Sequence, residues 1–352
     1  MSTHAVASSA ASPRWPLLGG LGLAVAAAGS AAARGGALEL TYMAFIAVAG
    51  FAMGSLGLLM IGHLMNERWT APIRSEAEAA GLTAPLLLLF GVPLALGLEQ
   101  IFPWADPRAE LSPPRAVFLS PGFFVLRSLL YLVVSSGLAF WLVRTRHLRR
   151  TSAIGLALLA PIMTFAAYDW VLSQDPQWWS SLFGFAFALS QLLAALAGAI
   201  LITLLKPEHA SPARMVSLER ALLTLSLLSV WTWFAQFLIV WLANLPREAV
   251  WYLDRSDRIG LALIGAALAV MLAAILVLIP SGVSRRGMIV GSALVLLQHA
   301  IHMVWILRPD RHVQWPDLGL ACGMAAVWGI AFTLLMRTRP TYADRPGSRD
   351  PP

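Results

Sequence analysis

Apolar runs long enough to cross a bilayer recur along the whole of this chain, and that recurrence leaves few folds open. Ten are read, at about 17–33, 40–62, 82–102, 120–143, 152–172, 181–205, 219–243, 259–280, 287–307 and 317–336. Hydrocarbon cannot satisfy open backbone groups, so each run is predicted as a helix. A membrane barrel would show short segments of alternating polarity, and these runs do not alternate. The expected fold class is therefore an all-α polytopic membrane protein of about ten helices. It has a short segment at 1–16, a helical domain over 17–336 and a disordered Pro- and Arg-rich tail over 337–352. With 58% hydrophobic and 12% charged residues, the composition lies far outside the soluble norm. Leu17–Ser30 followed by Ala31-Ala32-Ala33 also has the form of a signal-peptide core with a small-residue cleavage site. An uncleaved helix is preferred, because cleavage would break the even number of spans.

The loops set orientation. Of the 25 Lys and Arg residues, 16 fall on one side of the predicted spans and 8 on the other, with Arg127 inside a span. The richest loop, Arg144–Arg150, and the Arg-rich tail share a side. The positive-inside rule makes that side cytoplasmic, with both termini on it. The loops at 173–180, 244–258 and 308–316 then face outward, and their Trp and Tyr suit an interfacial belt. The net charge of +7 is dispersed over short loops. It serves topology or anionic-lipid contact, and no basic stripe with interleaved aromatics supports nucleic-acid binding. Cys322, the one cysteine, excludes an internal disulfide and a cysteine-held iron–sulfur cluster.

Charged and amide groups inside hydrocarbon are costly and call for a reason. Glu99, Arg127, Asp169, Gln236 and His302 sit on five helices, and the topology brings all five to the outer layer, with Tyr168 beside Asp169 and His299 somewhat deeper. Arg127 stays protonated and wants a carboxylate, for which Glu99 and Asp169 are available. His302 or His299 is suited to passing protons near neutrality. An acid, a histidine and an aromatic wall are what quinol oxidation needs: hydroxyls hydrogen-bonded and deprotonated beside an apolar slot. The plainer reading stands alongside. Asp169 caps its helix or holds Arg127 in a buried pair, Glu99 snorkels to the headgroups, and Gln236 ties helices together. Gly50, Gly54, Ser55 and Gly57 read first as close helix packing. His63 lies at the opposite, cytoplasmic end, as an interfacial residue or a point of proton uptake. No second helix carries paired histidines, so bis-His haem is not expected, and no metal site is assigned. Phosphate-binding, dinucleotide, zinc-protease and serine-triad motifs are absent.

Four blocks together resemble one family. They are Gly54-Ser55 through His63-Leu64 to Trp69; Pro121–Tyr131; Asp169-Trp170 through Asp175-Pro176, Trp179-Ser180 and Phe183-Gly184; and Gln236–Ile239 through Trp241, Asn244-Leu245-Pro246 and Trp251-Tyr252. The chain resembles the ActF-type, NrfD-like membrane subunit of alternative complex III, a bacterial quinol:cytochrome c (or quinol:acceptor) oxidoreductase. The resemblance implies a pair of four-helix bundles with extra helices. It also implies a related NrfD-like membrane subunit and periplasmic iron–sulfur and multihaem cytochrome c subunits as partners. Haem and clusters would lie on those partners, with nothing bound covalently here and a quinone, menaquinone or ubiquinone, as possible ligand. In that family this subunit is discussed both as quinone-binding and as a proton path. Two departures stand out: Met65-Asn66-Glu67 replaces a Thr-Gly-Gly stretch, and Gln177 replaces a histidine.

The function expected is thus quinone binding or proton transfer near the outer face of a respiratory complex. Asp169 would be proton acceptor, Arg127 its electrostatic partner, and Gln236 the group that orients a ligand or water. Asp169→Asn would then lower turnover with assembly intact. A ligand-free scaffold subunit is the alternative, and a stand-alone transporter a third reading.

Overall fold

The computed structural model describes residues 35–65, 69–206, 212–244, 246–279, 284–308 and 317–339. The first apolar run (17–33), the segment 1–16, most of the tail, Asn66-Glu67, Leu245 and most of the 308–316 loop lie outside the described residues. Among the described residues there are thirteen α-helices and no strand. Eight are long and apolar enough to cross a membrane. They are α1 (Gly35–Met65), α6 (Pro121–Arg144), α7 (Leu148–Trp170), α8 (Phe183–Leu205), α9 (Pro212–Ala243), α11 (Arg258–Leu278), α12 (Arg285–Leu307) and α13 (Leu318–Arg337). Each matches a run predicted from hydropathy. The protein is all-α, polytopic and membrane-spanning.

The run predicted at 82–102 differs. It is not one helix but a sequence of pieces. Ahead of it, outside the predicted run, lies α2 (Arg74–Gly81), continued from a 3₁₀ turn at Ala71–Ile73. It is followed by α3 (Leu86–Leu96) and the short α4 (Leu98–Ile101). The pieces 71–81 and 86–96 form a bent pair, with 44° between them. Thr83-Ala84-Pro85 makes the bend: Pro85 starts α3, Thr83 Oγ1 caps back to the Ala80 carbonyl at 2.6 Å, and Trp328 Nε1 of α13 donates to Thr83 Oγ1 at 2.9 Å. Its charges hid α2 from a hydropathy reading, yet every residue from Ser75 to Gly81 is buried.

α1 and α8 form the shared centre. α1 packs against α2, α3, α7, α8 and α13, and α8 against α1, α7, α9 and α12. One hydrophobic cluster surrounds α1 with α3, α6, α7 and α13, and a second joins α8 to α9, α11 and α12. The small residues of α1 explain the closeness. A Cβ on Gly54 would stand 2.6 Å from the Gln191 backbone oxygen, and one on Gly50 would enter the Gln191 amide. The reading of these glycines as packing residues holds. By contrast α11 is mostly exposed, with Leu261, Leu268, Leu272 and Leu276 turned outward as lipid-facing surface.

The two ends of the bundle differ in chemistry. The basic end carries Arg144–Arg150, Lys206, Arg285 and Arg337. The aromatic end carries α5 (Pro113–Phe118), α10 (Pro246–Leu253) and the 171–182 loop. At the aromatic end Asn244 closes α9 with a positive φ of 48°, a conformation asparagine tolerates, and Pro246 opens α10.

Gly54→Leu is expected to abolish stable accumulation of the protein, since its side chain meets main chain that cannot retreat. Gly137→Ala meets nothing within 4 Å and should leave thermal unfolding in detergent unchanged or slightly raised. Equal behaviour of the two variants would contradict this packing.

Candidate functional site

Asp169 ends α7 and Arg127 lies two turns into α6, so antiparallel pairing of the two helices sets them at one level. The carboxylate is fully buried. Arg127 grips it in a bidentate fork, Nε to Oδ2 and Nη2 to Oδ1, both at 2.8 Å. Tyr131, one turn further along α6, donates its hydroxyl to Oδ2 at 2.8 Å. The remaining guanidinium nitrogen, Nη1, donates to the Phe118 carbonyl at 2.9 Å, and the cation lies over the rings of Phe118 and Phe123 at 4.0 and 4.3 Å. A buried charge is tolerable when it is paired and its other hydrogen-bonding capacity is filled, and here both conditions are met. The expected Arg127–Asp169 pair is present. Tyr131, its third member, was missed, although its spacing of four from Arg127 on one helix was a usable signal.

The polar ties continue around this pair. Ser173 Oγ donates to the Asp169 carbonyl at 2.5 Å and accepts from Trp104 Nε1 at 3.1 Å. Trp170 Nε1 donates to Ser128 Oγ at 3.0 Å, and Tyr42 from α1 donates to the Trp170 carbonyl at 2.6 Å. Beside them lies a cleft of about 120 Å³. Tyr42, Phe45, Gly91, Phe124, Ser128 and Trp170 are among its walls, and at its mouth Val92 and Leu129 are exposed. Engineered apolar cavities of roughly 150 Å³ accept a benzene ring, so the cleft is close to ring-sized. Its polar content is small: Ser128 Oγ accepts from Trp170 and keeps its own proton to donate.

A second cluster gathers Gln236, His302 and the aromatic residues of α10. Gln236 Nε2 faces the Tyr252 hydroxyl at 3.3 Å, while its Oε1 is buried with no hydrogen-bond partner. His302 stacks on Trp305 at 5.7 Å and meets Trp233 edge-on at 4.7 Å. Trp178 and Trp251 stack at 4.6 Å with a 14° tilt, and Trp178 Nε1 donates to the Glu248 carbonyl at 3.0 Å. Arg255 is buried over the Trp251 ring and donates from Nη2 to Asp175 Oδ2 at 3.0 Å and to the Ile306 carbonyl at 3.1 Å. Burial pulls its guanidinium pKa down, an effect that Asp175 opposes; burial also raises the Tyr252 hydroxyl to about 12. The 171–182 loop, through Asp175 and Trp178, therefore joins this cluster to the Asp169 pair. Arg255 was not singled out from sequence, because a loop arginine beside Asp254 reads as solvated. Of the loop tryptophans expected in the interfacial belt, Trp178 and Trp251 are instead buried in the core, with Trp104 and Trp305 beside them in burial, whereas Trp179 is exposed.

Other expectations separate in space. Glu99 is exposed and takes no part in the Arg127 pair. Tyr168 neighbours Asp169 in sequence only; its hydroxyl donates to the Ser181 carbonyl at 2.8 Å on another side of α7, and its ring lies against Trp179. His299 is buried one turn deeper than His302, with no hydrogen bond to Asp169 or Arg127 from either. His63, at the basic end, is buried and shares a 2.9 Å hydrogen bond with Ser152. The polar layer is also not confined to one end. Glu76 and Glu78 are buried at the basic end, with Lys206 at 2.5 Å from Glu76, and Arg74 at 2.6 Å and Arg339 at 3.8 Å from Glu78. Among the described residues, no three His, Cys, Asp or Glu side chains form a group able to hold a metal ion.

No protein-family model matches the sequence, and no curated protein does. The reading of the site therefore rests on its geometry.

Removing one member of the buried pair should cost on the order of 3–5 kcal/mol, because a charge is left buried alone. Asp169→Leu is expected to lower the detergent melting temperature sharply, whereas Arg127→Met with Asp169→Leu should regain most of it. A double variant no better than the single one would show that the two side chains act separately.

Proposed function

We propose that this protein is a membrane subunit of a bacterial quinol-oxidising respiratory complex, with an amphiphilic quinone-type ligand held at the aromatic end. The observation that carries the reading is the lipid-facing, ring-sized cleft walled by Tyr42, Phe45, Phe124 and Trp170, one residue away from the Asp169–Arg127–Tyr131 cluster. The four sequence blocks that resemble the ActF-type family include most of its walls on α6 and α7. The excess of basic residues at the other end supports an orientation with that end, and both termini, in the cytoplasm.

A quinone would supply two-electron, two-proton chemistry. The chain's own residues would position it: the apolar walls take the ring, Ser128 donates one hydrogen bond, and Val92 and Leu129 leave a way out for an apolar tail. Asp169 is set back behind Trp170 and already accepts three hydrogen bonds, so taking a proton requires Tyr131 or Arg127 to release it first. The haem and iron–sulfur centres of such a complex would lie on partner subunits.

That closed pairing also favours a second reading, in which Asp169 and Arg127 are structural ties of a subunit with no ligand. Asp169→Asn separates the two. A proton role predicts lowered quinol turnover per assembled complex; a tie alone predicts lowered yield with normal turnover per assembled complex.

Mild-detergent purification from native membranes should recover multihaem and iron–sulfur proteins, a related membrane subunit and bound quinone. Gly91→Leu points its side chain into the cleft, where a Cβ has ordinary 3.9 Å contacts. It should assemble normally and lose the quinone. Recovery of the chain alone, without redox partners, would sink the proposal.

A further inference from the structure

A second cavity lies at the other side of the molecule and has no part in the function just proposed. Its volume is about 190 Å³. α12 packs on α8 and α11, and α13 on α1 and α2, so these consecutive helices stand apart and leave a gap over α8. The gap is walled by Phe51, Gly198, Ile202, Leu296, Trp328 and Phe332, with Glu76 the one charged side chain in its lining. Trp328, Leu296 and Ile202 are half-exposed, so the gap opens toward lipid.

Cations gather beside the Glu76 end of the gap. Glu76 pairs with Lys206 and Glu78 with Arg74 and Arg339. Arg285, at the start of α12, donates to the Leu204 carbonyl at 2.7 Å, two residues from Lys206. Arg339 Nε is buried without an acceptor, and its Nη1 reaches Glu78 only at 3.8 Å. A buried guanidinium N–H with no acceptor asks for an anionic oxygen. An apolar slot below asks for a hydrocarbon chain.

We propose that this gap is a binding site for one anionic phospholipid of the bilayer. Its acyl chain fills the slot against Trp328, and its phosphate lies among Arg339, Arg285 and Lys206. The bound lipid covers the interface of α13 with α1 and α8 and completes the seam between α12 and α13. Membrane lipid is the occupant because the gap opens sideways, at the level where an acyl chain meets its headgroup, and Lys206, Arg285 and Arg339 favour an anionic headgroup over a zwitterionic one.

The test uses the full chain reconstituted in nanodiscs containing brominated phosphatidylglycerol or brominated phosphatidylcholine. The Trp328 signal is taken as the difference from Trp328→Phe. Trp328 should be quenched more strongly by the anionic lipid. Arg339→Gln should weaken the apparent affinity for it roughly fivefold, the factor expected for one basic residue near a membrane surface. Ala199→Phe, which fills the slot from α8, should abolish quenching by both lipids while the melting temperature reports that the fold persists. If Ala199→Phe fails to fold, native mass spectrometry of the unaltered protein decides: one retained anionic phospholipid supports the site. Equal quenching by the two lipids, an unchanged affinity in Arg339→Gln, or a retained quinone in place of phospholipid would each overturn the proposal. None of these outcomes depends on whether redox partners co-purify.

Discussion

Burying charge in a bundle with few charged residues is the constraint on which the rest of this structure depends. A guanidinium or carboxylate inside a helical membrane protein must find its counter-charge and fill its remaining hydrogen-bonding positions. Arg127, Asp169 and Tyr131 do this with a fork, a hydroxyl and a backbone carbonyl. Meeting those requirements sets the level of α6 against α7, and the Trp170 and Tyr42 contacts then carry that level to α1. The cleft beside Trp170 is a by-product of this register.

The two ends of the bundle solve the same problem differently. At the aromatic end, rings do much of the work: Arg127 and Arg255 lie on aromatic faces, which lowers the cost of removing a cation from water. At the basic end, Glu76 and Glu78 are each held by cations from other parts of the chain. The first arrangement makes a dry, stiff platform. The second rests on ion pairs between side chains far apart in sequence.

Hydropathy made the spans legible, because a continuous apolar stretch has one stable form in lipid. It also made the Arg127–Asp169 pair legible, since a lone buried arginine has few options. The method failed where burial and apolarity part company. α2 is charged in sequence and buried in space, so Glu76 and Glu78 were assigned to a loop and the polar groups seemed to favour one leaflet. Tyr168 failed for another reason: adjacent helical residues point about 100° apart, so a neighbour in sequence is not a neighbour in space. Trp178 and Trp251 read as belt residues because composition cannot distinguish a ring in the headgroups from one stacked in a core.

The bent segment at 71–96 has a consequence for how the protein is made. A helix carrying two carboxylates is a poor candidate to enter lipid alone. Arg74 lies beside Glu78, but Lys206 follows Glu76 by 130 residues and Arg339 is at the far end of the last span. At ribosomal speeds of about 5–20 residues per second, the last of these arrives tens of seconds after Glu78 leaves the ribosome. During that interval α2 must wait at the membrane surface or in the insertion machinery, and the order of synthesis, rather than hydropathy alone, governs when the central bundle closes.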